Sequence, residues 1–189
     1  YLLLEAPHLF ESYLLYMEKN RPDSKKFYIP RKKTLHVVAK DLQDLEERKI
    51  EFYGLSLPSR VGKSTMCIFF MSWIMGKRPN SHSAMGGHSG KLAKGFYGEL
   101  LNLINTQEYN YSEIFPQSKL QKQSADDFEI NLDKPDRFAT MTCRGIEGTW
   151  TGAVDISSDG YLYVDDLVRD RQHSLSPTRL ENTYQEYLN

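Results

Sequence analysis

Apolar residues recur along the chain at spacings that predict several helices. Residues 1–20 carry leucine and aromatic side chains at three- and four-residue spacing, and we predict a helix here that ends near Pro22. A second helix is predicted over residues 34–49, with one apolar face formed by Leu35, Val38, Leu42 and Leu45. Residues 66–75 are almost entirely apolar and lack glycine and proline, which predicts a buried helix closed by Gly76.

Short apolar and β-branched runs predict strands between the helices. We expect strands over residues 50–57, 81–85, 128–132 and 138–143, the last two joined by the turn Asp133-Lys134-Pro135-Asp136. A hairpin is predicted over residues 153–164, with its turn at Ser157-Ser158-Asp159-Gly160.

Two further helices complete the pattern. Ser89 would cap a helix over residues 91–105, and Ser176-Pro177 would start the last helix with proline at its first position. Because strands alternate with helices in this order, we expect an α/β fold with a mainly parallel central sheet flanked by helices.

Composition narrows the class of protein. The chain has 189 residues, 40% hydrophobic and 26% charged, values typical of one soluble globular domain. The net charge of −1 means that any DNA contact would depend on a local patch. No apolar run approaches the roughly 18 residues of a membrane span, and the N-terminus lacks a secretion signal, so we expect no membrane contact and no secretion. Cys67 and Cys143 fit no zinc or redox motif, which predicts reduced core thiols.

The triplet Gly62-Lys63-Ser64 lies where the predicted strand 50–57 gives way to the predicted buried helix. At a helix N-terminus, free backbone N–H groups and the positive end of the helix dipole favour an anion. The glycine would admit phosphate, the lysine would reach the β- and γ-phosphates, and the serine hydroxyl would ligate Mg²⁺. The predicted nucleotide-binding residues are Pro58, Ser59, Arg60, Val61, Gly62, Lys63, Ser64 and Thr65.

This loop departs from the usual phosphate-binding pattern at one position. Leu57 stands where the pattern G-x-x-x-x-G-K-[ST] has its first glycine, so the loop is a variant. A surface turn that contains the same triplet is the alternative that the loop alone leaves open.

A second motif favours nucleotide hydrolysis. The apolar run Tyr161-Leu162-Tyr163-Val164 ends abruptly in Asp165-Asp166. P-loop ATPases hold Mg²⁺ with an acidic residue at the end of a buried strand, which predicts Asp165 as a metal ligand. Asp166 would point to the other side of the strand end and polarise the attacking water. A solvated strand end or a helix cap is the alternative.

Several short elements follow one another in a recognisable order. They are Pro58-Ser59-Arg60-Val61-Gly62-Lys63-Ser64; Trp73, Gly76 and Pro79; Ser89, Leu92, Ala93 and Phe96; and Arg144-Gly145, Gly148-Thr149 and Thr151-Gly152 ahead of Asp165-Asp166. In this order, most of the chain resembles the ATPase domain of the large terminase subunit of tailed bacteriophages. The resemblance implies a P-loop NTPase fold of the RecA-like, ASCE type.

The resemblance also implies a function. Family members are Mg²⁺-dependent ATPases that use ATP hydrolysis to move double-stranded viral DNA into a procapsid, in the host cell cytoplasm. The implied partners are double-stranded DNA, a portal protein, a small terminase subunit and further copies in a homo-oligomeric ring when active, with a monomer in isolation as the alternative. Family members continue into a nuclease domain, whereas this sequence ends at Asn189, and we expect no nuclease activity from it.

Ring ATPases of this kind use an arginine to stabilise the charge on the transferring phosphoryl group. Arg60 would act from within the loop and Arg144 on a neighbouring subunit, so the predicted catalytic residues are Lys63, Asp166, Arg60 and Arg144. A salt bridge to Asp165 or Asp166 is the alternative for Arg60, and a solvated loop charge is the alternative for Arg144.

Residues 1–33 would form a helical and basic segment that packs on the motor, and residues 34–189 would form the ATPase domain. The family places the adenine pocket upstream of the loop, which suggests residues 28–31, with a surface loop as the alternative. The basic residues within 25–33 would contact DNA phosphates or remain solvated. Two other functions stay open: another DNA-dependent P-loop ATPase, such as a helicase or repair ATPase, and a nucleotide-binding assembly module with little turnover.

Overall fold

The structure is a computed structural model that describes residues 1–134, 136–168 and 175–188. It has an α/β architecture with a five-stranded mixed sheet. The chain divides into two compact units. The first comprises Tyr1–Arg78 and Leu100–Lys119, and the second comprises Pro79–Glu99 and Leu120–Asn189.

The helices follow the predicted order closely in most places. Their bounds are α1 Leu2–Glu5, α2 Phe10–Met17, α3 Lys32–Glu46, α4 Lys63–Lys77, α5 Gly90–Asn105, α6 Tyr111–Ile114 and α7 Pro177–Leu188. Two short 3₁₀ helices, Asp23–Lys25 and Ile29–Arg31, lie between α2 and α3. The helices predicted over 34–49, 66–75 and 91–105 and the helix start at Pro177 are confirmed, with shifts of a few residues at their ends.

The sheet belongs to the second unit and is half parallel. Its strands are β1 Ser83–Gly87, β2 Leu120–Ser124, β3 Glu129–Leu132, β4 Met141–Gly145 and β5 Leu162–Asp165, in the order β2-β3-β4-β1-β5. β1 pairs in parallel with β4 and β5, whereas β2, β3 and β4 form an antiparallel meander. The prediction of a mainly parallel sheet is therefore wrong for the meander, because its short turns allow only antiparallel pairing. Strand β2, which is mostly exposed, was not predicted.

Helix α4 forms the centre of the core of the first unit. Every residue from Met66 to Gly76 is buried, as the continuous apolar sequence predicted. Phe10 of α2 contacts Phe70 and Trp73, with ring centroids 5.4 and 5.3 Å apart. The N-terminal aromatic residues are thus core residues of this unit.

The predicted N-terminal helix is interrupted, so that prediction is wrong in its extent. It consists of α1 and α2, which are separated at Pro7, and it ends at Met17 rather than near Pro22. Proline lacks the N–H group that a helix interior needs, and its ring clashes with the carbonyl four residues earlier. Leu4 on α1 is 76% exposed and does not join the core.

Two strand predictions are wrong. Residues 50–57, all of them described, form an irregular segment outside the sheet, and the side chain of Phe52 is 83% exposed. The hairpin over 153–164 contributes only β5, because its turn hydrogen-bonds to His82, the residue before β1, and residues 153–156 form no strand. Ser157 N–H donates to the His82 carbonyl at 3.0 Å, and the His82 N–H donates to Ser157 Oγ at 2.8 Å. Pro135 of the predicted turn 133–136 lies outside the described residues.

Candidate functional site

Gly62 begins helix α4 with a left-handed backbone. Its φ is 103°, a conformation that glycine adopts without steric strain. The Met66 N–H donates to the Gly62 carbonyl at 2.9 Å, which closes the first helical turn. Two residues earlier, Arg60 also has a positive φ, of 65°. The predicted triplet therefore lies at the N-terminus of a long helix, although no strand precedes it.

The first turn of α4 is partly accessible to solvent. Lys63, Ser64 and Thr65 are half-buried, Pro58 and Ser59 are exposed, and everything from Met66 to Gly76 is buried. The first N–H groups of an α-helix have no acceptor within the helix, and the dipole adds partial positive charge there. This geometry suits an anion such as a phosphate group.

Phe27 packs directly against this helix start. A Cβ atom at residue 62 would lie 2.5 Å from Phe27 Cε2, so the ring fills the space that a side chain would need. The same ring stacks on Phe69 of α4, with centroids 5.7 Å apart and planes inclined by 8°. The Arg31 guanidinium lies over the Phe27 ring, 5.2 Å from its centroid. Sequence periodicity could not identify Phe27, because it lies in an irregular segment between helices.

The segment upstream of the loop contains both core and surface residues. Tyr28 is fully buried, and its hydroxyl donates to Glu11 Oε1 at 2.9 Å. Burial and the neighbouring Glu11 carboxylate raise the pKa of the Tyr28 hydroxyl. Ile29 and Arg31 are exposed. Three of the predicted DNA-contacting lysines are ion-paired: Lys25 with Glu108, Lys26 with Asp23, and Lys32 with Glu11.

The acidic pair divides between the interior and the solvent. Asp165 ends β5 and is 3% exposed, whereas Asp166 is exposed and has a φ of 44°. The backbone oxygen of Asp166 lies 3.0 Å from His88 Nδ1. Asp166 lies just beyond β5, and its left-handed backbone turns the chain away from the strand direction. The expectation of a buried strand ahead of the acidic pair is wrong for part of it, because β5 lies at the edge of the sheet and Leu162 is 46% exposed.

The two predicted arginines have different surroundings. Arg60 belongs to the first unit and is exposed on the loop. Arg144 belongs to the second unit, lies in β4 and is only 16% exposed. Its Nη2 is 3.2 Å from Glu129 Oε1, and its Nη1 donates to the Asp127 carbonyl. Arg144 is therefore neither in a loop nor solvated, and that alternative is wrong.

A cleft of about 420 Å³ lies in the second unit beside the glycine-rich segment. Its lining residues are Gly90, Asp127, Phe128, Arg144, Gly145, Glu147, Gly148, Thr149 and Ala153. Gly145 permits close packing here, because a Cβ at this position would lie 2.6 Å from the backbone of Ser89 and Gly90. Asp127 and Glu147 line the cleft together with Arg144. Because charges of both signs are present, the charge of the cleft favours neither anionic nor cationic ligands.

No protein-family model matches the chain, and no curated protein is similar to it in sequence. Within residues 1–134, 136–168 and 175–188, no group of three or more His, Cys, Asp or Glu side chains could hold a metal ion. Helices in the described part of the chain are all too short or too polar to cross a membrane. The predicted Mg²⁺ ligands, Ser64 and Asp165, carry oxygen donors, the type that Mg²⁺ prefers.

Proposed function

We propose that this protein is a Mg²⁺-dependent P-loop ATPase, and that it is the motor domain of a phage DNA-packaging terminase. The observation that carries the ATPase proposal is the left-handed Gly62 followed at once by α4, whose first turn is half-buried and whose residues from Met66 to Gly76 are buried. Such a helix start binds phosphate well. The terminase assignment rests on the ordered sequence elements that flank the loop.

Lys63 and Ser64 would fill the roles that a phosphate loop requires. Lys63 would bind the β- and γ-phosphates, and the Ser64 hydroxyl would ligate Mg²⁺. Asp165 remains a proposed Mg²⁺ ligand on the strength of the sequence motif alone. The bound Mg²⁺ would neutralise charge that develops on the phosphate oxygens during hydrolysis. Few protein ligands suffice for this ion, because Mg²⁺ usually binds one or two protein groups together with substrate phosphates and water.

The division of the acidic pair supports distinct roles. Asp165 ends β5 and is buried, a position typical of the metal-binding carboxylate at a strand end in P-loop ATPases. Asp166 is exposed at the adjacent position and can contact water, which suits the residue that orients the nucleophile. Arg60, exposed on the loop, would stabilise the charge of the transition state.

Binding and turnover of Mg-ATP test the proposal. We expect the chain to bind Mg-ATP, Lys63→Ala to lose binding, and Asp166→Ala to bind normally but to hydrolyse at least ~100-fold more slowly, the usual contribution of acid–base catalysis. Lys40→Ala is the matched control, since Lys40 is exposed on α3 and outside the loop. Normal Mg-ATP binding by Lys63→Ala would show that the loop is only a surface turn.

The same assay separates the related functions. A packaging motor should hydrolyse ATP faster when double-stranded DNA is added. Tight binding of Mg-ATP with no turnover, with or without DNA, would favour an assembly module. Duplex unwinding by this chain would favour a helicase.

A further inference from the structure

Glu18 is a buried carboxylate in the first unit for which the proposed chemistry has no role. It is 1% exposed, and it follows helix α2. Its two oxygens accept the Phe27 N–H at 2.8 and 3.0 Å, and Oε2 also accepts the Tyr28 N–H at 2.9 Å. Hydrogen bonds to a charged acceptor are strong, and losing the acceptor would leave buried donors without a partner. Glu18 therefore fixes the backbone at Phe27.

The side chain of Phe27 connects this fixed backbone to the phosphate loop by packing against it. Its ring is held between Phe69 on α4 and the backbone of Gly62. A Cβ at residue 62 would lie 2.5 and 2.9 Å from two ring carbons, closer than real Cβ contacts allow. The ring thus supports the left-handed turn from one side and limits its movement.

Tyr28 and Arg31, which follow Phe27 in the sequence, also restrain its backbone. Tyr28 is fully buried and hydrogen-bonded to Glu11, so the backbone cannot shift without disrupting the core. Arg31 Nη1 donates to the Phe27 carbonyl at 3.0 Å. Backbone, side chain and neighbours all restrain Phe27, although the ring itself is only half-buried.

We propose that Glu18 and Phe27 are positioning residues of the nucleotide site, which hold Gly62 so that the first N–H groups of α4 point at phosphate. This inference rests on the proposed function, because it concerns how the phosphate loop is shaped. A displacement of about 1 Å in a binding group can cost a large factor in activity, which makes such support effective. Residues that serve only the core would change stability without a selective change in nucleotide affinity.

The affinity for Mg-ATP, measured well below the unfolding temperature of each variant, tests the inference. We expect Phe27→Ala to weaken binding about 10-fold and Phe27→Leu, which keeps much of the apolar volume, to restore most of the affinity. Glu18→Gln keeps the size of the side chain but removes its charge, and we expect a similar loss of affinity. The matched controls are Phe52→Ala and Glu51→Gln, because both residues are exposed and lie in the same unit.

A double-mutant cycle separates positioning from general packing. Gly62→Ala should weaken Mg-ATP binding strongly, because the new methyl group meets the Phe27 ring and the φ of 103° is strained for alanine. Adding Phe27→Ala removes the steric clash, so the double variant should bind better than Gly62→Ala alone. Additive losses would contradict the inference.

The outcomes distinguish this inference from the proposed function. If Lys63→Ala binds Mg-ATP as the wild type does, the P-loop proposal itself fails. If Lys63→Ala loses binding while folded Phe27→Ala and Phe27→Leu both bind normally, only the positioning inference fails. Should Glu18→Gln not fold, the two Phe27 variants and the cycle with Gly62 decide the question.

Discussion

The ring of Phe115 occupies the space that a side chain at Gly76 would need. A Cβ at residue 76 would lie 2.2 Å from Phe115 Cδ2, and Gly76 lies inside α4, which ends at Lys77. The sequence placed the helix end at Gly76, within one residue of Lys77, but Gly76 does not end the helix by a left-handed turn. This glycine is required because an aromatic ring packs onto the helix backbone.

Gly76→Ala tests whether the crowding by Phe115 outweighs helix propensity, since alanine is the better helix former by about 1 kcal/mol. We expect the variant to be less stable by about 1–3 kcal/mol, the usual cost of overpacking a core. Urea denaturation would measure this change in the free energy of unfolding. Gly98→Ala in α5 is the control, because nothing lies within 4 Å of its Cβ position, and it should be neutral or slightly stabilising. A stabilised Gly76→Ala would show that the Phe115 ring moves aside readily.

Substitution of Arg60 should reduce ATP turnover, whereas substitution of Arg144 should reduce thermal stability. We expect Arg60→Ala to lower ATP turnover by about 10³-fold or more with normal stability, as for an arginine that stabilises a phosphoryl transition state. Arg144→Ala should lower thermal stability, because it breaks the contacts to Glu129 and the Asp127 carbonyl. Steady-state hydrolysis and a thermal melt of each variant provide both measurements. A stable Arg144→Ala with greatly reduced turnover would instead favour Arg144 as the catalytic arginine.

The adjacent residues Glu46 and Glu47 should respond differently to the same substitution. Glu46 is 7% exposed and pairs with Lys77 at 2.8 Å and Arg78 at 2.5 Å, which ties α3 to the end of α4. Removing one partner of a buried ion pair leaves the other charges uncompensated. We expect Glu46→Gln to reduce the free energy of unfolding by about 1–3 kcal/mol, since the two cations are partly solvated. Glu47→Gln should change it little, because Glu47 is exposed. Equal losses of stability in Glu46→Gln and Glu47→Gln would contradict the prediction that the buried ion pairs contribute more than the exposed ones.

Tyr13 forms a buried hydrogen bond to α4 that can be removed with little change of shape. Its hydroxyl lies 2.7 Å from Ser72 Oγ, which in turn donates to the Phe69 carbonyl at 2.7 Å. We expect Tyr13→Phe to lower the free energy of unfolding by about 1 kcal/mol. Because the two side chains are coupled, Ser72→Ala should cost less in the Tyr13→Phe background than in the wild type. Strictly additive losses in denaturant unfolding would contradict this coupling.

The two cysteines should be unreactive while the protein is folded. Cys143 is fully buried and Cys67 is 7% exposed, and burial raises the pKa of the Cys143 thiol. The thiolate is the reactive form, so both low access and a raised pKa slow the reaction. In an assay with a thiol-specific chromophore, we expect no fast phase in native buffer and two thiols in denaturant. Rapid labelling of the native protein would show that a thiol is exposed.

Local sequence determined the elements whose signal is itself local. The apolar run of residues 66–75 has no polar face, so it could only form a buried helix, and Gly62 provided the backbone freedom that starts it. Ser89 and Ser176-Pro177 marked helix starts correctly because caps depend on neighbouring residues. The end of the apolar run at Asp165-Asp166 marked the end of β5 at Asp165.

Tertiary structure decided everything that depends on distant partners. Residues 50–57 have the composition of a strand but do not pair with one. Residues 153–156 form no hairpin with β5, because Ser157 in the following turn hydrogen-bonds to His82 instead. Strand formation requires a partner that local sequence does not specify. Arg144 became part of an ion pair because β3 brings Glu129 beside it. Phe27 lies in a stretch without periodicity, and only the folded chain places its ring against Gly62. Likewise, no local signal shows that Glu18 accepts the Phe27 N–H.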